Sequence, residues 1–283
     1  MTNTKNFNRE DGRTCHICEN GSLNRVSDPE YGRCDCCGTE IAVDMNPRPA
    51  EEYETVEWYG DRWEFDVVAG LINSDNQVLE LGCGEGHFSR KLFGRGITYE
   101  GVDFNSKALA VAQKAVRLES HRYLDDITSC SPKFDVLCAF HVVEHIPDPA
   151  AFFGQLLIEK GINQVYFSVP NPGRLMVRLG MREKWDFPPH HLYRFSKAGL
   201  SRMMSRIGFK TLFTLREPLR DEEFIEIIMK MTPSWIPKRN RMIHKLIRIF
   251  KKVPANRRPR MGQAMLMAFE VKNRRRPQDK RDN

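Results

Sequence analysis

Short apolar runs alternate with amphipathic segments through the middle of the chain. Residues 77–81, 99–103 and 134–140 each have the pattern of a buried strand, and a helix start is predicted at His87, after a run containing three glycines. A strand, a glycine turn and a helix in this order form the first unit of a doubly wound sheet. The pattern therefore predicts a Rossmann-like α/β fold.

Flanking segments predict further elements of the same domain. Apolar residues near helical spacing predict a helix within 58–71, and Ser196 is placed to cap a helix over 197–207. Apolar runs at 211–215 and 263–271 predict two closing strands. A long insertion therefore separates those two strands.

The insertion contains a basic amphipathic segment over residues 240–252. Its apolar residues lie on one side of a predicted helix and its cations on the other; they are Met242, Ile243, Leu246, Ile247, Ile249 and Phe250. Such a helix can lie on an anionic membrane, or it can pack on the domain as a lid. A third interpretation, in which Arg257, Arg258, Arg260 and residues 274–276 contact RNA phosphates, is less favoured because no aromatic RNA-binding motif accompanies them.

Composition and charge narrow the class of protein. The 283 residues are 41% hydrophobic and 29% charged, as in a folded soluble protein. No apolar stretch is long enough to span a membrane and the first 20 residues show no signal-peptide core, so a cytoplasmic location is expected. The net charge of +7 is uneven, because the segment from Trp235 onward holds 16 Lys and Arg against 3 Asp and Glu. Such a basic segment indicates either contact with phosphate or an anionic surface, or a solvated charged tail that aids solubility.

Five of the eight cysteines lie between residues 15 and 37. Cys15 and Cys18 form one C-x2-C pair, and Cys34 and Cys37 form a second. Two such turns can supply four thiolates to one tetrahedral ion, so a structural Zn²⁺ with no open position is predicted. Unliganded thiols or a redox pair are the alternatives, and Cys36 could replace a ligand of the second pair.

These observations divide the chain into four expected parts. They are a zinc-binding module at 13–40, a linker at 41–57, an α/β domain at 58–273 that includes the basic insertion at 221–260, and a basic tail at 274–283.

The glycine turn indicates the class of ligand. Gly82, Gly84 and Gly86 follow the first strand, and Asp103 lies about 20 residues later, where a carboxylate can accept both ribose hydroxyls. His87 stands where a dinucleotide fingerprint requires its third glycine, and no P-loop Lys follows. A nucleoside with an amino-acid end, S-adenosylmethionine, suits this turn.

The chain resembles the class I S-adenosylmethionine-dependent methyltransferases over most of residues 58–273. The motifs that carry the resemblance are 78–86 (VLELGCGEG), 101–103 (GVD), 123–127 (YLDDI), 134–149 (FDVLCAFHVVEHIPDP), 166–171 (YFSVPN) and 208–209 (GF). The resemblance implies a seven-stranded sheet. It also implies a cofactor site that includes Glu80, in which the three glycines pass under the methionine portion, Asp103 holds the ribose, and Asp126 with the Ile127 backbone contacts adenine.

Candidate catalytic residues follow the predicted strand at 134–140. His141, Glu144 and His145 lie at the carboxyl end of this strand, where ligands bind in such sheets. The H-x-x-E-H spacing also occurs in zinc proteases, but Pro147 and Pro149 leave no room for the long helix that a protease site requires.

A second divalent metal near Glu144 and His145 is an alternative role for these residues. The resemblance includes ubiquinone-biosynthesis and small-RNA methyltransferases, which carry an E-x-x-E-H metal cluster; here His141 replaces the first acid. His190 and His191 follow downstream. They are candidates for a base that deprotonates a hydroxyl, or they are surface histidines before a helix. The favoured interpretation is that Glu144 and His145 close the turn without a metal.

The sequence thus predicts a methyltransferase that modifies a hydroxyl of a small molecule, a saccharide or a lipid-linked acceptor. The alternatives are an RNA methyltransferase and a binding module that no longer turns over.

Overall fold

The computed structural model describes residues 14–47, 60–115, 120–235 and 240–272. Strands in these ranges form two sheets. In chain order they are β1 (Leu23–Arg25), β2 (Tyr31–Cys34), β3 (Glu40–Ala42), β4 (Gln77–Leu81), β5 (Thr98–Val102), β6 (His121–Leu124), β7 (Val136–Phe140), β8 (Gln164–Pro170), β9 (Tyr193–Arg194), β10 (Phe209–Arg216) and β11 (Ala264–Val271).

The larger sheet has seven strands in the order β10-β11-β8-β7-β4-β5-β6. The five strands β4 to β8 run parallel, and β11 pairs antiparallel with both β8 and β10. All five residues of β7 are buried, as expected for a central strand covered on both faces. The expected doubly wound α/β fold with seven strands is confirmed.

Helices cover the two faces of the larger sheet or extend from its edge. They are α1 (Trp63–Ala69), α2 (His87–Leu92), α3 (Ser106–Ala115), α4 (Pro149–Glu159), α5 (Leu175–Arg178), α6 (Lys197–Arg206), α7 (Asp221–Met231) and α8 (Arg241–Lys251). Side-chain caps fix two of the starts. The Asp148 side chain accepts from the Ala151 amide before α4, and Ser196 accepts from the Gly199 amide before α6.

The smaller sheet joins the cysteine segment to the α/β domain. Its order is β1-β2-β3-β9, so β3, the third strand of the N-terminal segment, pairs with β9, which lies more than 150 residues later in the chain. The four candidate cysteines share one hydrophobic core with Leu192, Tyr193 and Phe195. Because β3 extends to Ala42, the expected module boundary at residue 40 falls inside a strand.

Other expectations concern segments that the structure describes only in part. The helix expected within 58–71 begins at Trp63, and residues 58 and 59 lie outside the described ranges. Parts of the linker and the whole tail at 274–283 also lie outside them. Within the described part of the chain, no helix is both long and apolar enough to cross a bilayer.

Candidate active site and cysteine cluster

The glycine turn after β4 lies at the switch point of the sheet. At this point the chain leaves β4 toward β5 on one side and leaves β7 toward β8 on the other. Gly82, Gly84 and Gly86 all have left-handed backbones, with φ of 72°, 50° and 73°. A Cβ at Gly82 would lie 2.4 Å from Cγ2 of Val142. Gly82 is therefore required both by its conformation and by the close approach of the turn that follows β7.

Asp103 follows β5 and is fixed beside this glycine turn. Its Oδ2 accepts from the Gly84 amide at 2.8 Å, and its Oδ1 accepts from the Asn105 amide at 2.8 Å. Burial raises the pKa of Asp103, although the two amide hydrogen bonds oppose that shift. The carboxylate is thus held in one orientation at the cavity wall.

Glu80 lies on β4 beneath the turn and is almost fully buried. Burial raises its pKa to about 8, while the hydrogen bond that the Tyr99 hydroxyl donates to it opposes the shift. The sequence indicated Glu80 only through its place in the motif, and its raised pKa is a consequence of tertiary burial.

Asp126 and Ile127 lie on the cavity wall near Asp103. The Asp126 carboxylate caps a short 3-10 helix by accepting from the Thr128 amide at 2.9 Å and from the Thr128 hydroxyl. These contacts lower its pKa. Both Asp126 oxygens are therefore already engaged within the protein.

On the other side of the turn, a buried ion-pair group borders the cavity, which His141 lines. His141 has a left-handed backbone with φ of 55°, and its two ring nitrogens lie 3.4 Å from Glu64 and 3.4 Å from Glu144. Burial lowers the pKa of His141, but the two carboxylates outweigh it and the pKa is raised overall. Glu64 was not predicted, and its one signal is an acid within the otherwise apolar face of α1.

Three histidines converge on the same cavity. Ligand atoms of His145, His190 and His191 lie within 4.8 Å of one another. The Nδ1 atom of His145 lies 2.5 Å from the His190 carbonyl oxygen, so this nitrogen carries the hydrogen. Burial lowers the pKa of His145 and His191.

The structure separates residues that the sequence grouped together. His145 faces His190 and His191, whereas Glu144 faces His141 and Glu64 on the other side of the 3-10 turn Val143–His145. His141 and His145 do not share a helix, so the protease arrangement is absent from these residues.

Two further polar residues border the histidines and were not predicted. Asp186 forms an ion pair with Arg174, and its Oδ1 also lies 3.8 Å from Nδ1 of His191. Both residues are buried and line the cavity. Neither has a local sequence signal, because they meet only through the fold.

These two sides enclose one cavity of about 700 Å³. Its wall includes Gly82, Asp103 and Ile127 on the glycine-turn side. His145, His190 and His191 line the same cavity. A cavity of this size accommodates a drug-sized ligand, and its two sides differ in chemistry.

The four predicted cysteines form a compact cluster. Sγ of Cys15 lies 3.9 Å from that of Cys37, and Sγ of Cys18 lies 3.6 Å from that of Cys34. A tetrahedral zinc site with bonds of about 2.3 Å separates its sulfurs by about 3.8 Å, so the arrangement fits the ion. Cys36 is exposed, and its sulfur contacts Arg202 instead.

A backbone approach supports this cluster. A Cβ at Gly21 would lie 2.4 Å from Sγ of Cys34 and 2.6 Å from Cβ of Cys36. His16 faces away from the sulfurs, with Nε2 at 2.6 Å from the Tyr193 hydroxyl.

Comparison with known proteins places this site in context. A family model described as "Methyltransferase domain" matches residues 63–212, just over half of the chain. The ubiquinone biosynthesis O-methyltransferase of Thiobacillus denitrificans is 30% identical over 167 residues, which cover 53% of this chain and 70% of that protein. The corresponding protein of Nitrosomonas europaea is 33% identical over 116 residues, or 38% of this chain and 48% of that protein.

A solved structure agrees at the level of fold. The crystal structure of the cyclase SpnF has a TM-score of 0.52 at 15% identity, and the match covers 80% of this chain and 98% of that one. At this identity the similarity supports the α/β architecture and carries nothing about the reaction.

Proposed function

Since the chain belongs to the S-adenosylmethionine-dependent methyltransferases, we propose that it transfers a methyl group to a hydroxyl of a small-molecule acceptor. The observation that carries the proposal is one cavity whose wall combines a glycine turn and a buried carboxylate with three histidines. The turn and the carboxylate suit a charged nucleoside, and the histidines suit the activation of a hydroxyl.

The cofactor side is proposed to use bare backbone and one carboxylate. The methionine portion would pass along Gly82, Gly84 and Gly86, whose missing side chains leave the backbone accessible. Asp103 would accept the ribose hydroxyls, and its amide hydrogen bonds from Gly84 and Asn105 keep it oriented before the ligand arrives. Ile127 would contact adenine through its side chain and backbone, while Asp126 contributes by fixing the turn.

The acceptor side is proposed to position and deprotonate the hydroxyl. Methyl transfer is an in-line displacement at a carbon that already bears a good leaving group, so alignment within about 3 Å and exclusion of water are the main requirements. His145, whose ring is oriented by the hydrogen bond from its Nδ1 to the His190 carbonyl, would take up the proton of the acceptor hydroxyl. His190 and His191 offer the same chemistry from the adjacent segment.

A divalent metal at the three histidines is the second candidate for activating the hydroxyl. It is supported by the distance of at most 4.8 Å among the ligand atoms and by the carbonyl that orients His145, a common arrangement around metal-binding histidines. A metal bound there would lower the pKa of a coordinated hydroxyl. Glu144 is turned toward His141 and is not part of this candidate set.

The basic helix α8 supports a lipid-linked acceptor. Phe250 stacks on Phe224 at 3.9 Å between ring centres, and both pack against the cluster of Met176, Leu219 and Ile227. Met176 also lines the cavity. The C-terminal end of α8 therefore packs against a cluster that reaches the cavity wall through Met176.

The apolar stripe of α8 beside Phe250 is exposed. Met242, Leu246 and Ile249 are 80%, 45% and 56% exposed, at the i, i+4 and i+7 spacing of one helix stripe. The helix contains five Lys, Arg or His residues and no acid. Such a face fits the surface of an anionic bilayer, from which a lipid-linked acceptor could enter the cavity.

A sedimentation assay tests this contact. Binding to vesicles rich in phosphatidylglycerol, and not to phosphatidylcholine vesicles, is expected of the full chain and should weaken with salt. Leu246→Ser with Ile249→Ser should abolish binding, whereas Ile158→Ser, an exposed apolar residue of α4, should not. Equal binding of both vesicle types, or no loss in the double variant, would refute the membrane role.

The reaction itself is tested with labelled S-adenosylmethionine. Purified protein is offered catechols, saccharides, prenylated phenols and total RNA, and label transfer is compared between wild type and Asp103→Ala. We expect transfer to one of the hydroxyl compounds, absent from the variant. Label in RNA alone would favour an RNA methyltransferase. Metal content compared between wild type and His190→Ala with His191→Ala distinguishes the two means of activating the hydroxyl, since one equivalent fewer in the variant supports a metal at the histidines and equal content supports a histidine base.

A further inference from the structure

The cysteine cluster and the acceptor side of the cavity are joined by one short segment, residues 186–194. This segment carries Asp186, His190 and His191, which line the cavity, and it ends in strand β9. Its other face lies against strands β2 and β3 of the cysteine segment. What holds this segment therefore determines where the cavity histidines lie.

Tyr31 is the central contact. It opens strand β2, is 1% exposed, and its hydroxyl lies 2.6 Å from the His191 carbonyl oxygen and 2.9 Å from that of Asp186. One phenolic hydrogen is thus shared between the backbone positions of two cavity residues. Buried carbonyls without such a donor are costly, so this hydroxyl stabilises one arrangement of the segment.

Arg194 completes the contact from the opposite direction. Its guanidinium lies 3.6 Å from the centre of the Tyr31 ring and donates to the Asp186 carbonyl through Nε at 3.1 Å and Nη2 at 2.9 Å. Nη1 also donates to Asp28 at 2.8 Å and to Glu40 at 3.1 Å. Asp28 and Glu40 both belong to the cysteine segment, so the charge network crosses between the two parts of the chain.

Hydrogen bonds link the same segment to the 3-10 turn Val143–His145 after β7. The Ala42 amide donates to the Leu192 carbonyl at 2.8 Å, and the Leu192 amide donates to the Glu144 carbonyl at 2.9 Å. The Tyr193 hydroxyl donates to the Pro147 carbonyl at 2.6 Å. Strand β3, the histidine segment and the turn after β7 therefore form one continuous hydrogen-bonded layer.

We propose that the cysteine module positions the acceptor side of the cavity, and that Tyr31 is the positioning residue through which it holds Asp186 and His191. The four-cysteine cluster fixes strand β2, since Cys34 is its last residue and Tyr31 its first. Loss of an ion held by these cysteines would thereby loosen the histidine segment while leaving the glycine turn intact. This inference rests on the proposed function only in assigning the acceptor to the histidines.

Tyr31→Phe in the full chain tests the proposal, because it removes the hydroxyl and keeps the ring beneath Arg194. The matched control is Tyr166→Phe, which removes a hydroxyl from a buried tyrosine of β8. Amide hydrogen exchange is followed by mass spectrometry, and zinc content is measured for each protein. We expect exchange in residues 186–192 to rise about tenfold in Tyr31→Phe alone, with zinc content unchanged.

Two further measurements extend the test. Chelation of zinc from the wild type should raise exchange in residues 186–192 and leave the turn at 82–86 unchanged. With the acceptor found by label transfer, Tyr31→Phe should raise the acceptor KM or lower kcat about tenfold, while affinity for S-adenosylmethionine stays at the wild-type value. The exchange measurements need no acceptor, so they remain decisive if no acceptor is methylated.

Two results would overturn the proposal. One is equal exchange of residues 186–192 in Tyr31→Phe and Tyr166→Phe. The other is a uniform rise of amide exchange in Tyr31→Phe across strands β1 to β3 and the histidine segment together. That result would make the Tyr31 hydroxyl a contributor to general stability and not to positioning.

Discussion

Gly82 and Gly94 provide a matched pair for testing the glycine turn. Both have φ of 72°, but a Cβ at Gly82 would meet Val142 at 2.4 Å, whereas a Cβ at Gly94 would meet nothing within 4 Å. Substitution by alanine therefore imposes the same backbone strain at both positions. Only Gly82→Ala also forces Val142, which lines the cavity, to move.

The expected magnitudes follow from these contacts. A left-handed alanine costs about 1 to 2 kcal/mol, and overpacking adds about 1 to 3 kcal/mol. Gly94→Ala should therefore lower the free energy of unfolding by about 1 to 2 kcal/mol, and Gly82→Ala by about 2 to 5 kcal/mol. Because the displaced Val142 borders the proposed cofactor site, Gly82→Ala should also weaken S-adenosylmethionine binding at least tenfold, while Gly94→Ala should not.

Urea denaturation measures the stabilities, and calorimetry measures the affinities. Val142→Ala removes the methyl group that the new Cβ would meet, so the two substitutions should couple in a double-mutant cycle by about 1 to 3 kcal/mol. Two results would contradict this expectation. One is a Gly82→Ala protein no less stable than Gly94→Ala, and the other is a Val142→Ala substitution that restores none of the stability lost in Gly82→Ala.

Two other predictions concern buried groups away from this contact. Gly21→Ala should lower the zinc content of the purified protein, since its Cβ would lie 2.4 Å from Sγ of Cys34; a full complement of zinc by elemental analysis would contradict this. Burial raises the Glu80 pKa from 4.5 to about 8, so its stabilising contribution is complete below about pH 4.5 and is lost as pH rises through about 8. The Tm of Glu80→Gln, whose side chain stays neutral, should therefore fall less than that of wild type between about pH 6 and pH 9. Parallel plots of Tm against pH for the two proteins would contradict that.

The sheet and the glycine turn were predictable because their signals are local. Strand β4, the three glycines and the helix start at His87 lie within a few residues of one another, and the alternation of apolar runs continues through β7. The C-x2-C pairs are equally local, and the structure brings their four sulfurs together.

Contacts between distant segments were not predictable in this way. Glu64 meets His141, and Tyr31 meets His191, across more than 70 and 150 residues of chain. The division of Glu144 from His145 also depends on the short 3-10 turn at Val143–His145, which directs neighbouring side chains to opposite sides. A sequence motif gives spacing along the chain, and these residues are brought together only by tertiary packing.

The central claim is that the cavity binds S-adenosylmethionine through Asp103. Calorimetric titration of the full chain tests it, with Asp135→Ala as the control, since Asp135 accepts the Gln77 amide at 2.8 Å at the opposite end of β4. The account predicts saturable binding by the wild type and the control, and binding at least tenfold weaker in Asp103→Ala. No heat of binding in the wild type, or equal affinity in Asp103→Ala, would contradict it.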